Sequence, residues 1–337
     1  MPAPHPSRES ASVHHLPNAA PDHPVNPGVP LDLDMVRQVR VNLSAVERRA
    51  ATLPTRRTVK KEWQAAWLVR ALECIDLTTL SGDDTEGRVE RLCAKARKPL
   101  RDDIVAALGL GQRPPTVAAV CVYHRFVKAA KAALAGSGIP VAAVSTAFPA
   151  GLAPFSTRLA EIEASVADGA DEIDVVITRE HVLRGDWQAL YDEVKAFKAA
   201  CGPAHMKTIL GTGDLKTLRN VGRASMVAMM AGSDFIKTST GKEGVNATIP
   251  VGLVMVRAIR AYREATGHVV GFKPAGGIST AKDAMAFEFL MKEELGNSWP
   301  QPGLFRIGAS SLLADIERQL EYFVTGRYAS FDHHGIA

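Results

Sequence analysis

The sequence predicts an α/β protein of the (β/α)₈ (TIM) barrel class. Short β-rich runs alternate with longer stretches of helical period, which signals parallel βαβ units. The runs number eight, the count that suits a closed barrel. The chain is 337 residues long, room for one such barrel of about 250 residues with extensions. Periodicity leaves an open, doubly wound sheet as the alternative.

Residues 1–30 stand apart. They are rich in Pro and His and poor in large apolar side chains, so they cannot bury enough surface to offset their ordering entropy. A disordered tail is expected, and its histidines (His5, His14, His15, His23) are read as part of a flexible leader rather than a metal tract. Residues 31–70 carry a helical pattern without strand signals, with Thr58-Val59-Lys60-Lys61-Glu62-Trp63 leading into Ala65-Ala66-Trp67-Leu68-Val69. This segment is expected as a helical extension packed on the main domain. The barrel follows over 71–328 and a short C-terminal tail over 329–337.

The expected strands are 74–77, 117–123, 141–148, 172–177, 206–210, 235–240, 269–273 and 305–308. Helical period fills the intervals. Leu159, Ile162 and Val166 recur at helical spacing, and that stretch closes on the stop signal Asp168-Gly169.

Composition excludes several classes. Hydrophobic content of 46% and charged content of 23% are ordinary for a globular domain. A net charge of +4, with no Lys/Arg run interleaved with aromatics, argues against a nucleic-acid partner. No apolar stretch approaches the roughly 20 residues of a membrane helix, and the N-terminus lacks the apolar core of a secretory signal. Cys74, Cys93, Cys121 and Cys201 form no C-x-x-C pair or Cys/His cluster. Reduced thiols in a cytoplasmic protein, without structural zinc, are expected.

Active-site groups of a barrel sit at the C-terminal strand ends, and in- and out-facing residues alternate along each strand. On the fourth strand Ile173, Val175 and Ile177 suit the helix-facing side, so Asp174 points inward. An inward carboxylate needs a partner or a chemical role, because unpaired buried charge is costly. Lys207, Lys237 and Lys273 lie inside three neighbouring strands. Clustered ammonium groups disfavour one another's charge, so at least one should have a lowered pKa. A free amine acting at neutral pH needs a value of roughly 7–8 against an ordinary value of about 10.4. A neutral lysine beside a cationic one can attack a carbonyl. Spacing alone does not decide between Lys207 and Lys237.

The last strands run into small-residue loops: Thr240-Gly241-Lys242, Ala275-Gly276-Gly277-Ile278-Ser279 and Gly308-Ala309-Ser310-Ser311-Leu312. Glycines let backbone N–H groups approach an anion, and the loops after strands seven and eight are the usual phosphate site of such barrels. The residues thus point to a lysine-dependent enzyme acting on a small phosphorylated carbonyl compound. A metal-dependent barrel enzyme would need a His/carboxylate ligand set at strand ends, and none is visible. A non-catalytic binding protein is disfavoured by the presence of Lys237, Lys273 and Asp174 together.

Several stretches resemble the deoxyribose-phosphate aldolase family in the family's order. They are Phe235-Ile236-Lys237-Thr238-Ser239-Thr240-Gly241-Lys242, Gly271-Phe272-Lys273-Pro274-Ala275-Gly276-Gly277, Glu172-Ile173-Asp174-Val175-Val176, Ile75-Asp76-Leu77-Thr78-Thr79-Leu80, Val245-Asn246-Ala247-Thr248 and Gly308-Ala309-Ser310-Ser311-Leu312-Leu313. The likeness runs over about 31–328 and is nearer the longer, animal-like branch. It implies reversible cleavage of 2-deoxy-D-ribose 5-phosphate to acetaldehyde and D-glyceraldehyde 3-phosphate, without metal or other cofactor. It implies Lys237 as the Schiff-base lysine, Lys273 as the neighbour that keeps it partly neutral, and Asp174 as the carboxylate of the proton relay. Asp76, Thr78 and Thr240 resemble residues near the sugar hydroxyls, and Cys121 resembles a cysteine close to the substrate. Gly241, Lys242, Gly276, Gly277, Gly308, Ser310 and Ser311 resemble the phosphate cradle. Lys207 is left a supporting ion pair. A homo-oligomer is implied, with a dimer favoured.

Three departures from the family pattern stand out. Ser279 occupies the place of a common arginine, which implies weaker phosphate binding. The chain ends Gly335-Ile336-Ala337 rather than in tyrosine, leaving Tyr328 as a stand-in. Tyr123-His124 replaces Tyr-Pro, and His124 is expected as a solvated loop residue.

Overall fold

The computed structural model describes residues 24–56 and 59–330. Three helices precede the sheet: α1 (Leu33–Gln38), α2 (Leu43–Arg56) and α3 (Lys61–Glu73). The first half of the barrel is β1 (Ile75–Thr78), α4 (Glu86–Arg97), α5 (Asp102–Ala107), β2 (Ala119–Tyr123), α6 (Val127–Ala133), β3 (Val141–Ser145), α7 (Phe155–Ala167) and β4 (Glu172–Val176). The second half is α8 (Arg179–Arg184), α9 (Trp187–Cys201), β5 (His205–Ile209), α10 (Leu218–Met230), β6 (Phe235–Lys237), α11 (Ile249–Thr266), β7 (Gly271–Lys273), α12 (Ala281–Leu295), β8 (Ile307–Ala309) and α13 (Leu312–Thr325).

Every strand pairing is parallel, in the order β7-β6-β5-β4-β3-β2-β1-β8. Parallel bridges Phe272↔Phe305 and Ala275↔Gly308 join the two ends, closing the sheet into a barrel. This decides against the open sheet. The strand ends differ from expectation for local reasons. β3 stops at Ser145 because Thr146 and Ala147 take left-handed φ of 62° and 60°, which no ladder accommodates. β6 stops at Lys237, so Thr238, Ser239 and Thr240 belong to the loop.

The strands separate two apolar regions. Ile173, Val175 and Ile177 join the large core between sheet and helices, as the alternation requires. Cys121, Ala142, Val144, Phe148, Val176 and Ile209 form a smaller cluster inside the barrel. The helix over 155–167 ends as expected, with Gly169 at φ +95°.

The expected tail extends too far. Residues 24–30 dock on α10 and the start of β6 because Asn26 offers a complete hydrogen-bonding set. Its backbone N–H donates to Asp234 Oδ1 at 2.8 Å, and its side-chain amide donates to Met229 O at 2.7 Å and Ser233 O at 2.9 Å. Tyr262 Oη donates to Asn26 Oδ1 at 3.1 Å. Gly28, at φ +72°, admits the close approach, since a Cβ there would lie 2.5 Å from Met230 O. Residues 1–23, with the four tail histidines, and 331–337 lie outside the described residues. Arg49 of α2 holds Glu294 (3.2 Å) and Glu293 (3.3 Å) of α12, which ties the N-terminal helices to the helical layer of the barrel. No helix among the described residues is long and apolar enough to cross a membrane.

Candidate active site

Register sorts the three lysines that spacing left equivalent. Lys207 pairs with Asp174 on one side and with Phe235 on the other, whereas Lys237 pairs with Ile209 and Lys273. Lys237 therefore stands two residues nearer the C-terminal rim than Lys207, in step with Lys273. Lys207 and Lys273 are fully buried, while Lys237 keeps 3% of its surface exposed.

Asp174 is the hub of this layer. Its Oδ2 accepts from both Lys237 Nζ (2.8 Å) and Lys273 Nζ (2.7 Å), and its Oδ1 accepts from Lys207 Nζ (3.2 Å). Below it, Lys207 also pairs with Glu172, and Lys273 Nζ lies 2.5 Å from Asp76 Oδ2. Arg306 forms the floor: Nη1 reaches Asp76 Oδ1 at 2.6 Å and Nη2 reaches Glu172 Oε1 at 2.8 Å. Glu172 and Arg306 escaped the sequence reading, although the signal was there. Glu172 is two residues from Asp174 on the same strand face, and Arg306 fell inside an expected strand.

Three carboxylates (Asp76, Glu172, Asp174) thus meet four cationic side chains (Lys207, Lys237, Lys273, Arg306) in the buried interior. Burial would raise all three carboxyls, but the surrounding cations outweigh it and hold each below its ordinary value. Burial would lower Lys207, Lys273 and Arg306, but the carboxylates outweigh it and raise each. Only Lys237 among the four is lowered. Burial is the main cause, the Lys273 charge assists, and Asp174 opposes. Charge balances at three against three with Lys237 neutral. The expected tuning by Lys273 is thus second to desolvation as a lowering cause.

Gly308 makes room for this arrangement, since a Cβ there would lie 2.9 Å from Ala275 Cβ and 3.3 Å from Lys273 Cε. Cys121 is buried in the inner cluster, and burial pushes its thiol up. It is a packed thiol beside the lysines.

The expected sugar contacts divide. Thr78 lies at the rim, partly exposed, and its hydroxyl donates to Asp76 O at 2.7 Å. Asp76 does not line the rim; its oxygens are committed to Lys273 and Arg306 in the buried network. Thr240 and Gly241 are engaged by Glu243. The backbone N–H of Thr240 donates to Glu243 Oε2 at 3.0 Å, that of Gly241 at 3.2 Å, and Thr240 Oγ1 donates at 2.8 Å. The cradle expected at Gly241 is therefore filled from within the chain, and Glu243 holds its charge readily because these donors, against the cost of burial, lower its pKa. Sequence reasoning missed Glu243, although Thr-x-x-Glu is the spacing at which a glutamate reaches back to a threonine N–H.

The other loop residues converge. Gly276 and Gly277 have consecutive left-handed φ of 83° and 79° and stand beside β8 through the Ala275↔Gly308 bridge. Ser310 and Ser311 are exposed before α13, whose N-terminus has no side-chain cap. Lys242 is exposed on the neighbouring loop, and Ser279 is exposed after Gly277. Backbone N–H groups, a helix N-terminus and an ammonium group at one rim can receive an anion.

Tyr328 does not enter the rim. It stacks on Tyr322 with ring centroids 4.3 Å apart, at the far end of α13. His124 is not simply solvated: its Nδ1 lies 3.1 Å from Ser165 Oγ and its Nε2 3.9 Å from Asp168, tying β2's loop to α7.

The profile of the DeoC/LacD family aldolases matches residues 70–317. The chain is 60% identical over 310 residues to the deoxyribose-phosphate aldolase of Homo sapiens, covering 91% of this chain and 97% of that protein. It is 61% identical over 308 residues to that of Mus musculus, covering 90% and 96%. The solved deoxyribose phosphate aldolase of Aeropyrum pernix superposes with a TM-score of 0.57 at 21% identity, over 83% of this chain and 99% of that one, a likeness of fold alone.

Proposed function

The chain belongs to the DeoC/LacD aldolase family, and from that premise we propose that it cleaves 2-deoxy-D-ribose 5-phosphate reversibly to acetaldehyde and D-glyceraldehyde 3-phosphate through a Schiff base on Lys237. The observation that carries the role of Lys237 is its place in the charge network: of the three lysines it alone keeps some exposed surface and has its pKa lowered, and the buried charges balance when it is neutral.

Neutral Lys237 attacks the C1 aldehyde of the open-chain sugar, and loss of water gives a protonated imine. That cation is an electron sink for the C2–C3 bond once the C3 hydroxyl loses its proton. Glyceraldehyde 3-phosphate leaves, and the remaining enamine takes a proton at C2 and is hydrolysed to acetaldehyde. Asp174 and Lys273, in hydrogen-bond contact with each other and with Lys237, are the groups assigned to the proton transfers. The charge that appears at Lys237 on imine formation lies 2.8 Å from an ionised carboxylate, so the network that tolerates neutral Lys237 also accepts the iminium.

Lys242, Gly276, Gly277, Gly308, Ser310 and Ser311 are assigned to the phosphate. Their shared rim and the uncapped N-terminus of α13 support this. Thr78 is assigned to the sugar hydroxyls, with Cys121 beside it in register on β2. A homo-oligomer, with a dimer favoured, is part of the proposal; the Aeropyrum pernix relative is described as tetrameric, and sedimentation velocity on this protein decides between the two states.

The test is to incubate the protein with acetaldehyde and borohydride and locate the added mass. A single reduced two-carbon adduct on Lys237 is expected. Label on Lys207, or none on a correctly folded sample, overturns the assignment.

A further inference from the structure

Arg179, the first residue of α8 after β4, ties together three other loops that surround the barrel mouth. Its Nη1 donates to Ala150 O at 2.9 Å and its Nη2 to Pro149 O at 3.3 Å, both on the loop after β3. Its Nε lies 3.0 Å from Asp214 Oδ2 on the loop after β5, and its Nη2 lies 3.2 Å from Glu243 Oε1 on the loop after β6. Although it sits among loops, its side chain is only 15% exposed and that of Glu243 only 3%.

The loops are shaped around this group. Gly211 has φ +63°, and a Cβ there would lie 2.3 Å from Arg179 Nε. Gly213 presses on the 240–246 loop, where a Cβ would lie 2.1 Å from Val245 O. On the other side, a Cβ on Gly276 would lie 2.7 Å from Asn246. The 240–246 loop is therefore wedged between its neighbours, with Glu243 tying its first residues to Arg179. That loop begins three residues after Lys237 and carries Lys242, whose backbone N–H donates to Thr240 Oγ1 at 3.1 Å.

We propose that Arg179 and Glu243 are positioning residues for the aldolase reaction: the clamp they form fixes the 240–246 loop so that Lys242 meets the phosphate end of the substrate. Neither side chain touches the reacting carbons. Two contrary roles are physically distinct. A carboxylate that merely held the Thr240 and Gly241 N–H groups until a phosphate displaced it would compete with substrate. A purely structural ion pair would affect all substrates alike. The burial of Glu243, its fixed guanidinium partner and the wedged loop favour a permanent clamp, since displacing the carboxylate would take from Arg179 its buried anionic partner and leave only the half-exposed Asp214.

The inference rests on the aldolase reading above, and its test separates the two. Glu243→Gln and Arg179→Met are assayed with 2-deoxyribose 5-phosphate and with unphosphorylated 2-deoxyribose. A clamp predicts KM for the phosphorylated sugar raised roughly ten-fold, with kcat/KM for the unphosphorylated sugar changed less than about three-fold, the pattern of lost binding remote from the chemistry. The double variant should be no worse than the poorer single one. A lowered KM identifies Glu243 as a competitor and overturns the proposal; so does an unchanged KM, or an equal loss on both sugars. If neither variant folds, Asp214→Asn, at the more exposed arm, must raise the same KM, and failure to do so also overturns it. Unmodified protein that cleaves neither sugar refutes the aldolase reading instead.

Discussion

Lys237 and Lys273 share one acceptor, Oδ2 of Asp174, at 2.8 Å and 2.7 Å. Two ammonium groups on one oxygen repel, and the two lysines resolve this unequally. Lys273 has a second carboxylate, Asp76, at 2.5 Å, and keeps its proton. Lys237 has none, and burial together with the Lys273 charge draws its pKa down, the one lowered value among the four cations.

Removing the Lys273 charge should reverse this. In Lys273→Leu the three carboxylates face Lys207, Arg306 and Lys237, and charge balances with Lys237 protonated. The amine is then the wrong species at neutral pH. We expect kcat/KM at pH 7 to fall by about 100-fold or more. Residual activity should climb with pH to a higher midpoint than in the unmodified protein. A pH–rate profile checks this, and an unshifted midpoint would contradict it.

Arg306→Met removes the floor of the network and leaves Asp76 and Glu172 short of a cation in a fully buried site. Breaking a buried pair in this way costs about 3–5 kcal/mol. Urea denaturation followed by circular dichroism measures the loss. A change under about 1 kcal/mol would mean that solvent reaches the floor and screens it.

Ser279→Arg should tighten binding of the phosphorylated sugar. Ser279 is exposed just past the Gly276-Gly277 turn, where a guanidinium can reach an anion at the rim. We expect KM to fall several-fold at low salt and the gain to shrink with added salt, roughly as surface charges are screened. Steady-state kinetics at two ionic strengths provide the measurement; a salt-independent gain would point away from charge.

Asn26→Ala deletes the side-chain hydrogen bonds to Met229, Ser233 and Tyr262 at once. The loss leaves buried groups unpaired, at about 1–3 kcal/mol. Calorimetry should show a lowered Tm while kcat is retained, because the segment docks away from the rim. Loss of activity without loss of stability would contradict this placement.

Glu288 supplies a pH dependence. It is fully buried on α12 with neither carboxylate oxygen hydrogen-bonded, and burial pushes its pKa well above the ordinary value despite Arg70 nearby. Below the unfolded-state value of about 4.3 both states hold the proton and the group contributes no pH dependence. Above it the unfolded state releases the proton while the folded state keeps it, so stability declines as pH rises toward the folded value. Glu288→Gln should therefore stabilise the protein, and by more at pH 8 than at pH 5. An equal effect at both values in urea titrations would show that Glu288 is ionised in the fold.

Much of the barrel was legible because strand alternation and helical period follow from local geometry. Asp174 could be placed inside the barrel from its neighbours Ile173 and Val175 alone. The error at residues 24–30 was of another kind. A Pro-rich segment has no periodicity, and Asn26 is ordered by Asp234, Met229 and Ser233, over two hundred residues away in the chain. Glu243 and Arg179 were missed for one reason: a charged side chain on a loop or at a helix start reads as solvated until its partners on other loops are known.

The sequence by itself determined the alternation of strands and helices, the inward carboxylate, the three interior lysines and the small-residue loops, since each depends on residues close in the chain. Only the tertiary structure decided which lysine has its pKa lowered and which loop donors are already engaged. Those depend on register, depth and the sum of charges from five strands (β1, β4, β5, β6 and β7) and from Arg306 just before β8, and electrostatic interactions in a buried interior act between whatever the fold brings together, whatever their separation in sequence.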